Sequence, residues 1–132
     1  MSQENVAFIQ GLYEAFSRGD IQTVLAAMDP DIEWDEPQAP GYPPGGVHRG
    51  PQAVATEVFG TIPTYYQEFA ALPQEFIDVG DRVFVVGEYR GKGKASGTPF
   101  VARFVHIHTI RNGQTVRFQE YTDTGTIAEA IR

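Results

Sequence analysis

Two histidines on one side of an extended run are the first residues in this sequence able to do chemistry. In FVARFVHIHTI, strand alternation puts Phe100, Ala102, Phe104, His106, His108 and Ile110 on one face. Val101, Arg103, Val105, Ile107 and Thr109 take the other. Large aromatics mixed with imidazoles suit the wall of a binding pocket, whereas a core histidine with one satisfied partner is the plainer reading. The His-x-His spacing also suits metal ligation, with Asp123 or Glu88 as the third ligand. No further metal motif accompanies it, and no metal is expected.

Other candidates surround this run. Asp123 closes the last extended run, in YTDT. Enclosed among apolar groups, it would lose hydration, and its raised pKa would let it pass protons near neutral pH. Alternatively, it caps the closing helical segment TGTIAEAIR, its carboxylate bonding backbone N–H groups. His106, Tyr121 and Tyr13 are possible donors to an enolate formed beside a carbonyl. Trp34 alternates with Ile32 in DIEWDEP, on the face opposite Asp31, Glu33 and Asp35. Tyr13 and Phe16 form a helical stripe that lines a pocket or simply packs. Glu33, Asp35 and Glu36 read as an acidic rim.

The elements that must hold these residues follow from the pattern. Phe8, Leu12 and Ala15, with Ile9, Tyr13 and Phe16, mark an amphipathic helix that Ser2 or Asn5 caps and Gly19 ends. Asp20 caps a short second helix through Ile21, Val24, Leu25 and Met28, stopped before Pro30. DIEWDEP is a strand. Residues 37–50, rich in proline and glycine, form an irregular loop of a length that often covers a site. Pro51 opens a third helix through Val54, Val58 and Phe59, broken near Gly60 and Pro63, with a short helical piece near Tyr65. Strands then run to the end, turning at Gly80-Asp81 and at Asn112-Gly113, a hairpin signal. Strands segregated from helices predict an α+β fold: a curved antiparallel or mixed sheet covered by three N-terminal helices around a pocket.

Composition narrows the partners. The 132 residues fit a single domain over 1–132, with 42% hydrophobic and 20% charged residues. A net charge of −7 disfavours nucleic acid and anionic membranes. Without cysteine there is no disulfide and no thiol nucleophile. No signal-peptide pattern or long apolar run is present, so a cytoplasmic protein is expected.

The segments YEAFSRGD, DPDIEW, GPQAV, GDRVFVVGEYRG, GTPFVARFVHIHTI and NGQTVRFQEYTDT, in this order, resemble the SnoaL-like branch of the NTF2-like superfamily. That superfamily also holds ketosteroid isomerases, polyketide cyclases and limonene-epoxide hydrolases. The resemblance implies a conical pocket, no cofactor, and a homodimer through the open sheet face. It places Asp123 where SnoaL-like cyclases carry their acid–base aspartate, points His106 inward and sets Trp34 at the pocket wall. The ketosteroid isomerase pattern and the Asp-Arg-Asp set of epoxide hydrolases have no counterpart, and Arg103 falls on the outward face. The expected function is cofactor-independent acid–base chemistry, of isomerase, cyclase or hydrolase type, on a small hydrophobic carbonyl compound. Asp123, His106 and Tyr121 would act, and Trp34, Tyr13, Phe16, Phe104, His108 and Phe59 would bind. The alternative is a non-catalytic module that binds an apolar ligand or dimerises.

Overall fold

A computed structural model describes residues 2–132, with side chains from Gln3 onward. The amphipathic stripe forms helix α1, Ser2–Ser17, burying Ile9 and Ala15. Gly19, at a φ of 77°, turns the chain where a side chain would be strained. Asp20 then caps α2, Ile21–Ala26, accepting from Thr23 N–H. The cap expected from Asn5 is not made, because its amide instead donates to the Gly80 carbonyl at 3.1 Å. The Ser2 side chain lies outside the described residues.

The second helix is shorter than expected. Met28 and Pro30 belong to strand β1, Met28–Glu36. Proline is tolerated there because the strand pairing shifts register between Met28 and Glu33. The expected loop at 37–50 also contains a strand, β2, Gly46–Arg49, which pairs back antiparallel to β1 with Trp34 opposite His48. The third helix is interrupted in an unexpected way. Three residues of α3, Pro51–Ala53, continue as a π-helical segment, Val54–Phe59. After Gly60 comes α4, Thr61–Tyr65, the short piece expected near Tyr65.

Four long strands follow: β3 (Tyr66–Val79), β4 (Arg82–Gly93), β5 (Pro99–Arg111) and β6 (Gln114–Thr122). Asn112 and Gly113 both adopt positive φ in the tight β5–β6 hairpin, the geometry such turns demand. The chain closes in α5, Thr124–Ile131. The sheet order is β2-β1-β6-β5-β4-β3, with β1 parallel to β6 and the other neighbours antiparallel. Bulges in β3 at 67–70 and 73–75 bend it along β4. The result is the α+β fold with a curved mixed sheet.

One sheet face is buried under the helices. Val83, Val85, Tyr89, Phe100, Ala102, Phe104 and Ile110 pack with Ile9 from α1 and Ile127 from α5. A second group gathers Ala15, Val24, Ile32, Trp34, Val54, Val58 and Phe118. Each large side chain fully buried this way contributes roughly 1.5–3 kcal/mol. Gly93 lets α5 lie against β4, since a Cβ there would stand 2.0 Å from the Ala130 carbonyl oxygen. No described helix is long and apolar enough to cross a membrane.

Candidate functional site

Alternation on three adjacent strands brings a polar cluster into the apolar interior. On β1 the inward series is Ile32, Trp34, Glu36; on β5 it is Phe104, His106, His108; on β6 it ends Phe118, Glu120. His106 stands directly opposite Glu120, and His108 opposite Phe118. Trp34 pairs with Phe118 across the parallel β1–β6 junction, stacked at a ring separation of 3.7 Å. Tyr89 enters from β4 and Tyr13 from α1. All of these except Phe104 line a cavity of about 110 Å³, together with Phe16, Tyr42, Phe59, Tyr66, Phe69 and other apolar groups. An apolar cavity of about 150 Å³ accepts benzene, so a single small ring or a more compact molecule is the right scale.

The hydrogen bonds fix where the protons sit. Tyr89 O–H donates to Glu120 Oε2 at 2.5 Å. His106 Nε2 lies 2.7 Å from the Tyr89 oxygen and 3.0 Å from Glu120 Oε2. With the Tyr89 proton committed, Nε2 must carry hydrogen. Burial depresses the pKa of His106 to about 3, so the ring is neutral and its Nδ1 is an acceptor. Tyr13 O–H donates to that Nδ1 at 2.6 Å. The Tyr13 oxygen in turn sits 2.9 Å from His108 Nε2, which must be the donor there. His108 is neutral for the same reason, burial foremost and His106 second, with its pKa down to about 3. In this tautomer its Nδ1 is a bare acceptor, buried with no partner. The donors run His108 to Tyr13 to His106 to Glu120, a chain directed at one carboxylate.

A second carboxyl meets the first. Glu36 accepts from Trp34 Nε1–H at 2.7 Å and from Tyr42 O–H at 2.8 Å, and it hydrogen-bonds Glu120. Two buried carboxyls in contact need a proton between them, since both ionised would repel in a poorly solvated space. Burial first, and the charge of Glu120 second, push Glu36 far above the usual carboxyl range, so Glu36 holds that proton. Burial also raises Glu120, to about 7, against the lowering effect of the bonds from Glu36 and Tyr89. The cluster is one shared proton, one carboxylate near its titration point, and a ring of neutral donors. Tyr13 and Tyr89 are held protonated, burial raising both and the charge of Glu120 adding to it.

The sequence matches the SnoaL-like domain model over residues 9–118. The chain belongs to the SnoaL-like family. An NTF2-like protein of unknown function from Burkholderia pseudomallei K96243 is 34% identical, covers 99% of this chain and 98% of its own, and superposes with a TM-score of 0.88. An NTF2-like protein from Burkholderia thailandensis E264 is 28% identical over 96% of each chain, with a TM-score of 0.89. TerC, co-crystallised with polyporic acid, is 34% identical over 96% of this chain and 97% of its own, with a TM-score of 0.86. No curated protein matches the sequence.

Among the residues read from the sequence of this SnoaL-like chain, Tyr13, Phe16, Trp34, Phe59, His106 and His108 come together around the cavity. Phe104 does not line it: the ring stacks on His106 at 3.9 Å, deeper in the core. Tyr121 lies on the opposite sheet face, 57% exposed. Asp123 takes the capping role. It accepts from Thr126 N–H at 3.1 Å and from the Thr126 hydroxyl at 2.6 Å at the start of α5. Those bonds hold its pKa below the ordinary value, the wrong direction for a neutral-pH acid. Glu88 also faces away from His106 and pairs with Arg90 at 2.5 Å.

Four residues of the cluster were missed: Glu36, Tyr42, Glu120 and Tyr89. All but Tyr42, which lies in the loop after β1, had a signal. Glu36 continues the parity of Ile32 and Trp34, and Glu120 that of Phe118. Tyr89 continues Val83, Val85 and Gly87. Reading Glu36 as part of an acidic rim set its charge above its place in the alternation.

Proposed function

We propose that the chain, as one domain, is a cofactor-independent acid–base enzyme for a small, uncharged carbonyl compound, with Glu120 as the proton-transferring carboxylate. The observation that carries this reading is the burial of two carboxyls, Glu36 and Glu120, in the wall of one apolar cavity, each held by neutral donors. A base is most useful when its pKa lies near the working pH, and Glu120 is raised to about 7. The role expected of Asp123 passes to Glu120, three residues earlier.

In the proposed step, Glu120 removes a proton from the carbon beside the carbonyl. The C–H electron pair moves into the new C=C bond, and the carbonyl π pair moves onto oxygen. Once Glu120 is protonated, the Glu36 proton is released from it and can hydrogen-bond the enolate oxygen. A neutral carboxylic acid donor of this kind stabilises charge without a metal. Returning the proton from Glu120 to the same carbon gives hydrogen exchange, and returning it to the far carbon of a conjugated enolate completes an isomerisation. The chain through His106, Tyr13 and His108 holds Glu120 in place and keeps its ionised form solvated by donors. That TerC was co-crystallised with polyporic acid supports an organic ligand for this chain.

The test is proton exchange. In D₂O, the protein should speed exchange of the α-hydrogens of acetone, followed by NMR, and Glu120→Gln should slow that exchange by about 100-fold or more. Exchange at the buffer rate with the unaltered protein would refute the enzymatic reading.

The open sheet face supports a homodimer. Val101 and Tyr121 are exposed there, beside the half-buried Val105 and Ile107. A cytoplasmic homodimer is the working assembly under this reading, testable by sedimentation and cell fractionation.

A further inference from the structure

The buried carboxylate has no cation to balance it. Histidines apart, no basic side chain is among the described residues lining the cavity, and both lining histidines are neutral. The groups that face Glu120 are Glu36 from β1, Tyr42 from the following loop, Tyr66 from β3, Tyr89 from β4, His106 from β5 and Tyr13 from α1. All are neutral donors or acids. A desolvated anion without a counter-charge is costly, and a ligand that supplies the charge recovers that cost.

The walls favour the same kind of ligand. Trp34, Phe59, Tyr66, Phe69, Tyr89 and Phe118 line the cavity. Aromatic rings attract a cation through their electron-rich faces, and quaternary ammonium groups are recognised by such cages. They also tolerate the alkyl surface of such a cation, which a purely polar anion site would not. The volume of about 110 Å³ admits a compact head with fewer heavy atoms than benzene.

We propose that the resting cavity is a binding site for a small organic cation, an alkylammonium, seated among the rings with its charge beside the Glu36–Glu120 pair. This rests on the cavity being a small-molecule site, and it does not require turnover. Such a cation would hold Glu120 ionised and occupy the place of a carbonyl substrate.

The experiment compares three tert-butyl-like probes that differ in charge: tetramethylammonium, tert-butanol and pivalate. Binding is followed by calorimetry and by NMR shifts of the Trp34 indole. At about pH 8, tetramethylammonium should bind at least about tenfold more tightly than tert-butanol, with pivalate weakest. The advantage should shrink at about pH 5.5, where Glu120 is protonated, and in Glu120→Gln. Should that variant fail to fold, the pH series on the unaltered protein decides alone.

Equal or tighter binding of tert-butanol at about pH 8, or a cation advantage that persists in folded Glu120→Gln, overturns the inference. Either result leaves the acid–base reading standing on its exchange assay. Failure of every probe, acetone included, to bind overturns both.

Discussion

Glu120 and Asp123 lie three residues apart at the end of β6 and occupy opposite environments. Glu120 points into the cavity, 5% exposed, where loss of water raises its pKa to about 7. Asp123 sits at the surface, where two bonds from Thr126 lower its pKa. Both are carboxyls on hydrogen bonds, yet only one is placed to exchange protons near neutrality. Side-chain direction and burial separate them; residue type and sequence position do not.

Breaking the two sites should separate them by size of effect. Glu120→Ala leaves the His106 and Tyr89 donors facing a void, and should cost about 3 kcal/mol in denaturant unfolding. Asp123→Ala removes a helix cap and should cost about 1 kcal/mol. It should leave the exchange of acetone unchanged, because the side chain does not reach the cavity. Equal losses from the two variants would contradict the account.

The pH dependence should have opposite signs. Glu120 has a folded pKa above the unfolded value, so the folded state binds more protons in the window between about 4.3 and about 7. Its contribution is present below that window and is lost as pH rises through it. Asp123 has a folded pKa below its unfolded value, so its contribution is present above about 3.9 and is lost on acidification. The stability of the unaltered protein relative to Glu120→Gln should therefore fall between about pH 4.5 and 7. Relative to Asp123→Ala it should be flat there and fall below about pH 4. Urea melts across this range read both slopes.

Much of this was legible in the sequence. The alternation of FVARFVHIHTI placed His106 and His108 inward, and both line the cavity. The ordered motifs gave the α+β architecture. Failures came where local cues competed. In TVRFQEYTD, Phe118 and Glu120 share the buried face, but attention to the aspartate position favoured Tyr121 and Asp123, on the other parity. Glu36 ends β1 beside two acids that are at least partly exposed, and charge obscured its place in the alternation. The β2 strand was hidden because a four-residue edge strand in a proline- and glycine-rich segment has little pattern of its own. The π-helical turn packs Val54, Val58 and Phe59 into the core at spacings that periodicity cannot distinguish from an α-helix over so short a stretch.

The smallest expected effect concerns the open face. Tyr121→Ser should change unfolding of the isolated protomer by less than about 0.5 kcal/mol, yet weaken the proposed dimer in sedimentation equilibrium. Unchanged self-association would remove Tyr121 from the interface.

The most direct measurement is a ¹³C NMR titration of the side-chain carboxyls of Glu120 and Asp123 in the same sample. The account predicts that Glu120 titrates near neutrality, about 7, while Asp123 titrates below the ordinary aspartate value. Glu120 titrating in the ordinary carboxylate range, or Asp123 titrating near neutrality, would contradict it.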